Sequence, residues 1–264
     1  MGDPLGRDYD MSSAEVIAIG TELLLGETLD TNTQVIARAL REIGVNLYRT
    51  STVGDNVKRI AESIRWSSAR TDIVITTGGL GPTVDDPTRE AVARALGREL
   101  IFDPELWHQI RAYYDRFDKE PTHNNRRQAY LPAHATALPN PRGTAPGFFL
   151  EMDQTLIFCL PGVPPEMSGM LHEQVIPCLE SRFPDREMIL VRTISTGGIG
   201  ESEVDERISD LEKCSNPTVG LAAQRDGVQV RITAKGSSRK DVEKMLAELE
   251  AEIRDRLGKW IREE

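Results

Sequence analysis

Between residues 15 and 77, short continuous apolar runs alternate with stretches whose apolar residues recur every three or four positions, and few folds satisfy that alternation. Glu15-Val16-Ile17-Ala18-Ile19 reads as a buried strand, and residues 33–43 place Val35, Ile36, Ala39, Leu40 and Ile43 on one helical face. Gly44 then stops the helix. Residues 45–53 read as a second strand, 57–69 as a helix and 72–77 as a third strand. Strands joined by single helices pair in parallel through right-handed crossovers, in a sheet covered on both faces. The carboxyl ends of adjacent strands then share one crevice, the usual ligand site of an open α/β sheet.

The third strand runs into Gly78-Gly79-Leu80-Gly81-Pro82-Thr83-Val84-Asp85-Asp86-Pro87-Thr88. Glycines at 78, 79 and 81 allow positive φ and close backbone approach, and the first N–H groups of the next helix, read over residues 87–96, present partial positive charge. Gly78, Gly79, Leu80, Gly81, Pro82 and Thr83 thus form a candidate phosphate cradle. Asp86 before Pro87 is a helix-start signal, so capping explains one carboxylate but not two. Unit charges about 4 Å apart at an effective dielectric of about 20 repel by roughly 4 kcal/mol, a conflict that a divalent cation bridging phosphate and carboxylate removes. Asp85 and Asp86 are therefore candidate metal ligands or proton-handling groups, against the alternative of an ordinary loop and cap.

The loop after the first strand should face the same crevice, which makes Glu22 and Asn32 candidates, although Asp30 or Thr31 capping the next helix accounts for much of that segment. Thr122-His123-Asn124-Asn125-Arg126-Arg127-Gln128-Ala129 gathers the amides and guanidinium forks that nucleotide phosphates and bases require. Residues 139–147 form a turn-rich loop of the kind that often binds ligands. Pro161-Gly162-Val163-Pro164 repeats the strand-to-helix passage, with Glu166 in the first helical turn.

Between these segments lie helices at 104–117 and 124–130 and a hairpin of 147–151 with 155–159. A helix over 165–182 follows, then a linker at 184–185. Beyond it, a strand at 188–196, a helix at 201–211, a strand pair at 218–223 and 227–234 and a long amphipathic helix at 239–257 make a small α+β unit. Its Gly197-Gly198-Ile199-Gly200 has the GxxG spacing of KH domains. Residues 186–264 nonetheless carry 14 Lys/Arg against 16 Asp/Glu, and the whole chain carries a net charge of −10, so nucleic acid and anionic membranes are not expected partners.

Residues 1–13 contain no apolar signal core and read as a disordered tail; no stretch is long and apolar enough to span a membrane, and a cytoplasmic protein is expected. Cys159, Cys178 and Cys214 are far apart, with no CxxC pair. Neither a disulfide framework nor a thiolate zinc site follows from them. There is no Gly-x-Ser-x-Gly and no Walker A lysine.

Taken together, 20–26, Val53-Gly54-Asp55-Asn56, 77–88, Asn124-Asn125-Arg126, 143–147 and Leu160-Pro161-Gly162 resemble the CinA family, whose amino-terminal part is similar to the molybdopterin-binding proteins MoaB and MogA. The resemblance implies an α/β domain over residues 14–183, a MoaB-like three-layer sandwich with a mostly parallel sheet, and a KH-like α+β domain over 184–264. It implies metal-dependent hydrolysis of the pyrophosphate bond of ADP-ribose to AMP and ribose 5-phosphate, with divalent metal (Co2+ or Mg2+) and K+ as cofactors. The rival activities are molybdopterin adenylylation and non-enzymatic nucleotide sensing. By position, Gly78, Gly79, Gly81, Thr83, Asp85, Asp86 and Thr88 match the family's phosphate-binding motif, and Glu22, Asn32, Asn140, Gly143, Thr144, Pro161 and Gly162 its surrounding loops. The expected chemistry is in-line attack of water, with metal held by Asp85 or Asp86 and with Asn125, Arg126 and the glycine-loop amides steadying the transition-state charge. A homodimer is expected, using apolar faces at 106–117 and 239–257. The sequence stops where the family's nicotinamide mononucleotide deamidase domain begins, so no deamidase activity is expected of it.

Overall fold

The computed structural model describes residues 13–184 and 187–262. Two compact units divide the chain near Pro184, with residues 41–44 grouped with the second. Residues 1–12 of the expected tail and Asp185 of the expected linker lie outside the described residues. Ser13 is an ordered correction to that tail, because it opens the first strand and donates both its N–H and its hydroxyl to Asp72 Oδ2, at 2.9 and 2.8 Å.

The first unit begins β1 (Ser13–Ile19), α1 (Thr21–Leu24), α2 (Thr31–Glu42), β2 (Asn46–Val53), α3 (Val57–Ser68), β3 (Ile73–Thr77) and α4 (Thr88–Leu96). It continues with β4 (Leu100–Phe102), α5 (Pro104–Asp115), β5 (Tyr130–Pro132), β6 (Thr136–Leu138), β7 (Gly147–Met152), β8 (Thr155–Leu160), α6 (Pro164–Met170) and α7 (Ile176–Arg182). The main sheet has the order β2-β1-β3-β8-β7-β6. Pairs β1–β2, β1–β3 and β3–β8 are parallel, while β8–β7 and β7–β6 are antiparallel. Every residue of β3 and β8 is buried, as strands covered on both faces require, and their Val, Ile, Leu and Phe side chains read accordingly. The edge strand β2 departs from that expectation, since residues 48–52 alternate too little to bury and five consecutive positions are exposed.

One core cluster joins Ile17 and Ile19 of β1, Ile60 and Ile64 of α3, Val74 of β3 and Phe148 and Ile157 of the hairpin. At about 25 cal/mol per Å² of apolar surface removed from water, each such side chain contributes roughly 1.5–3 kcal/mol, which fixes the loops at the strand ends. The helix read over 124–130 is a single 3-10 stretch, His123–Ala129, because Thr122 and Asn125 close a capping box around its first turn. The helix read over 165–182 is broken by a π turn at Leu171–Val175, just before Pro177, which has no N–H to give to the preceding turn. The short β4–β5 ribbon and β6 have no signal in the sequence pattern, being three residues each.

The second unit contains β9 (Met188–Ser195), α8 (Glu201–Ile208), β10 (Thr218–Gln224), β11 (Gly227–Gly236) and α9 (Arg239–Leu257). Its antiparallel sheet has the order β10-β11-β9. Val242, Leu246, Leu249, Ile253 and Leu257 of α9 repeat at helical spacing and are buried in this unit's own core with Val230 and Ile232. Leu106 and Ile110 of α5 are likewise buried in the first unit. The apolar face of α9 expected to form a dimer is therefore largely used within its own unit, and that of 106–117 in part, Phe117 remaining exposed.

Candidate functional site

The carboxyl ends of β1, β2, β3 and β8 converge, and the loops that follow them line a cleft of about 390 Å³. Its central wall is the glycine loop. Gly78 has φ 110° and Gly79 φ 64°, both in the region glycine favours. A Cβ on Gly78 would lie 2.1 Å from Ile19 O, so the loop and β1 approach as closely as bare backbone permits. Gly81 needs no positive φ; a Cβ there would meet Asp86 Oδ2 at 2.4 Å, so this glycine makes room for a carboxylate. Thr88 anchors the loop from below, its hydroxyl donating to Gly78 O at 2.8 Å and its N–H to Gly79 O at 3.1 Å. The successive amides of Gly79, Leu80 and Gly81 donate to no protein acceptor among the described residues, the arrangement of an anion nest.

Helix α4 starts at Thr88, one residue later than the Asp86-Pro87 signal indicates, and Asp86 does not cap it. Instead Asp86 Oδ2 accepts from Thr83 N at 2.9 Å and Thr83 Oγ1 at 2.5 Å, while the same hydroxyl also lies against Asp85 Oδ1. Asp85 is exposed, and the bond from Thr83 holds its carboxyl below the usual aspartate range. Glu22, Asp55, Asp85, Asp86 and Glu166 all line the cleft, whereas no lysine or arginine among the described residues does.

Among the described residues no three His, Cys, Asp or Glu side chains lie close enough together to hold a metal ion. Two carboxylates that leave the remaining positions to substrate oxygens are nonetheless how Mg2+ and comparable hard cations usually bind beside phosphates. Asp85 and Asp86 are a pair of that kind, and the carboxylates lining the cleft make it acidic.

The opposite wall comes from the loop after β8. Glu166 is half-buried, and its Oε2 accepts from Asn140 Nδ2 at 2.6 Å. Burial pushes this carboxyl above the usual glutamate range, and the bond from Asn140 offsets only part of that. Gly143 makes space for it, since a Cβ there would sit 2.2 Å from the Glu166 carboxylate.

Of the residues expected at the site, Glu22, Gly78, Gly79, Leu80, Gly81, Thr83, Asp85, Asp86, Thr144, Pro161, Gly162 and Glu166 come together around this cleft. Asn32, Thr88, Asn125, Asn140 and Gly143 stand behind its lining. Asn32 and Asn125 are buried; Asn32 Nδ2 is spent on protein acceptors while its Oδ1 has no partner among the described residues, and Asn125 Nδ2 donates to Gln128 Oε1 at 3.0 Å. Arg126 is outside the cleft, its guanidinium 4.6 Å from the centroid of the Phe102 ring. The 3-10 stretch reaches the cleft through neighbouring residues. Arg127 donates to Thr83 O at 2.7 Å, and Gln128, which lines the cleft, donates to Thr144 Oγ1 at 3.2 Å. Gln128 and Asp55 are absent from the sequence-based site. Asp55 was findable, because it follows β2 at the same end of the sheet as the other loops; it accepts from Thr21 N at 2.7 Å.

Residues 15–181 match the family model described as "Probable molybdopterin binding domain", and residues 191–261 match that of the damage-inducible protein CinA KH domain. The chain belongs to the CinA family. A protein of Clostridium perfringens strain SM101, named as competence-damage inducible, is 43% identical over 93% of this chain and 59% of its own length. Another so named, from Moorella thermoacetica, is 44% identical over 94% of this chain and 60% of its own. The chain thus spans about three fifths of the curated relatives it matches. The crystal structure of a CinA protein of unknown function from Thermoplasma acidophilum superposes with a TM-score of 0.59 at 32% identity, covering 65% of this chain and 98% of that one. The α/β domain with a mostly parallel sheet and the smaller domain with a three-stranded antiparallel sheet are the fold class expected of the sequence.

Proposed function

We propose that the cleft hydrolyses the pyrophosphate bond of ADP-ribose to AMP and ribose 5-phosphate in the presence of a divalent cation, Co2+ or Mg2+, and K+. The observation that carries this reading is the pairing of an amide nest with five lining carboxylates and, among the described residues, no lining cationic side chain. A pyrophosphate would meet backbone donors on one side and like charge on the other, so a metal that screens the like charge would strengthen its binding. Asp85 and Asp86 would hold that metal, which when bound neutralises phosphate charge and acts as a Lewis acid. Gly79, Leu80 and Gly81 would orient the phosphate through their amides. Glu166, whose carboxyl burial pushes above the usual glutamate range, would hold or accept a proton on the opposite wall. Thr144 and Gln128 would contact the rest of the substrate.

The test is AMP release from ADP-ribose by the purified chain with Co2+ or Mg2+, with and without K+, beside Asp86→Ala. Metal-dependent release lost in the variant supports the reading; no release by folded protein rejects it. The family description favours a second reading, molybdopterin binding with adenylyl transfer, which predicts adenylation of molybdopterin by ATP. Cytoplasmic location, a homodimer and the absence of a nucleic-acid partner belong to the same proposal. The dimer draws little support from α9, whose apolar face is buried in its own unit, and light scattering at 29.4 kDa would remove it.

A further inference from the structure

Arg89, in the first turn of α4, is 2% exposed. Its Nη2 donates to Leu80 O at 2.8 Å and its Nη1 to Gly81 O at 3.4 Å, while Nε is buried without a partner. No carboxylate forms an ion pair with it among the described residues. Asp86 and Glu90 are the acidic groups that face it, but at longer range. Glu90 is engaged by Arg127 at 3.0 Å and Asp86 by Thr83, and Arg127 adds positive charge of its own. The Cys159 thiol, pushed up to about 12 by burial, is neutral at ordinary pH. Burial pulls Arg89 down to about 10, which still leaves it a cation.

A buried guanidinium without a bound counter-ion is unfavourable, and its place at the positive end of a helix adds to the cost. Both effects point at the same loop, whose carbonyls at Leu80 and Gly81 turn toward Arg89 and whose carbonyl at Thr83 turns toward Arg127. The unpartnered amides of Gly79, Leu80 and Gly81 belong to that loop. We propose that a phosphate seated on those amides is the missing counter-ion of Arg89, making Arg89 a positioning residue that sets the loop for an anion in an otherwise acidic cleft. The proposal rests on the reading of the cleft as a phosphate site.

The test uses inorganic pyrophosphate in EDTA, so that neither metal nor hydrolysis enters. Wild-type chain should show a pyrophosphate-dependent rise in Tm, and Arg89→Met should bind about tenfold more weakly, the loss expected for a unit charge acting over roughly 10 Å at an effective dielectric of about 20. Arg89→Lys keeps the charge and should keep most of the stabilisation. If Arg89→Met does not fold, 15N-arginine labelling of wild type replaces it. The Arg89 Nε–H resonance should then shift in step with the rise in Tm. Absence of stabilisation in wild type, equal stabilisation in Arg89→Met, or a stationary Arg89 resonance overturns the proposal. Pyrophosphate binding without ADP-ribose turnover would reject the proposed reaction alone, and turnover without metal-free binding would reject this inference alone.

Discussion

The side-chain amide of Asn32 donates to Gly162 O at 2.8 Å and to Thr77 Oγ1 at 2.9 Å, so one buried residue of α2 ties the end of β3 to the loop after β8. Thr77 Oγ1 in turn donates to Pro161 O at 3.0 Å. The two walls of the cleft are thus held at a fixed separation by an asparagine that does not line it. Asn32→Ala should cost about 1–3 kcal/mol, because the buried Thr77 hydroxyl loses its donor. Urea denaturation measures the loss, and an unchanged midpoint would show that water replaces the amide.

Gly78 and Gly81 should respond differently to alanine. At Gly78 the Cβ meets backbone in a left-handed conformation, and about 3 kcal/mol of stability should go. At Gly81 it meets only the end of the Asp86 side chain. Gly81→Ala should fold near wild type yet bind Co2+ with ADP-ribose about 10-fold more weakly, as displaced ligands do. Thermal unfolding and metal titration separate the two effects.

Glu15, buried in β1, accepts from Arg70 Nε at 2.6 Å, Arg70 Nη2 at 2.8 Å and Ser67 Oγ at 2.7 Å. Burial alone would raise its pKa, but the bonds from Arg70 and Ser67 prevail and hold the carboxyl below the usual glutamate range. A depressed pKa means that the native state binds fewer protons than the unfolded one, so this stabilisation is present at neutral pH and is lost as pH falls through the folded value. Arg70→Ala should cost about 1–3 kcal/mol at pH 7, less than a wholly buried pair because Arg70 reaches solvent. The difference from wild type should shrink on acidification, as urea titrations at several pH values would show.

Glu166 has the opposite sign. Its raised pKa makes the native state bind more protons, so its contribution is full in acid and is lost as pH rises through the folded value. Glu166→Gln keeps an acceptor for Asn140 and removes the buried charge. The variant should melt higher than wild type at neutral pH, with the gain vanishing toward the ordinary glutamate range, while turnover of ADP-ribose falls. A gain independent of pH would argue against the charge as its cause.

The sequence by itself determined the parallel pairing of the first three strands, the glycine loop and the family. These features are local: apolar runs set strands, 3.6-residue periodicity sets helices, and the parallel crossover rule brings the loops after β1 and β3 to one end of the sheet, where the structure adds the loop after β8. What tertiary structure decided was which polar side chains reach the cleft. Asn125 and Arg126 look like the ligands of their segment, yet the capping box turns one inward and the Phe102 ring draws the other away, leaving Gln128 and Arg127 to meet the cleft and its loop. Asp86 looks like a helix cap, yet Thr83 supplies better donors. Arg89 has no place in the sequence-based site, and only the packing of α4 against the loop buries it. Backbone propensity depends on neighbours in sequence, whereas the direction and burial of a polar side chain depend on partners tens of residues away, which no local pattern encodes.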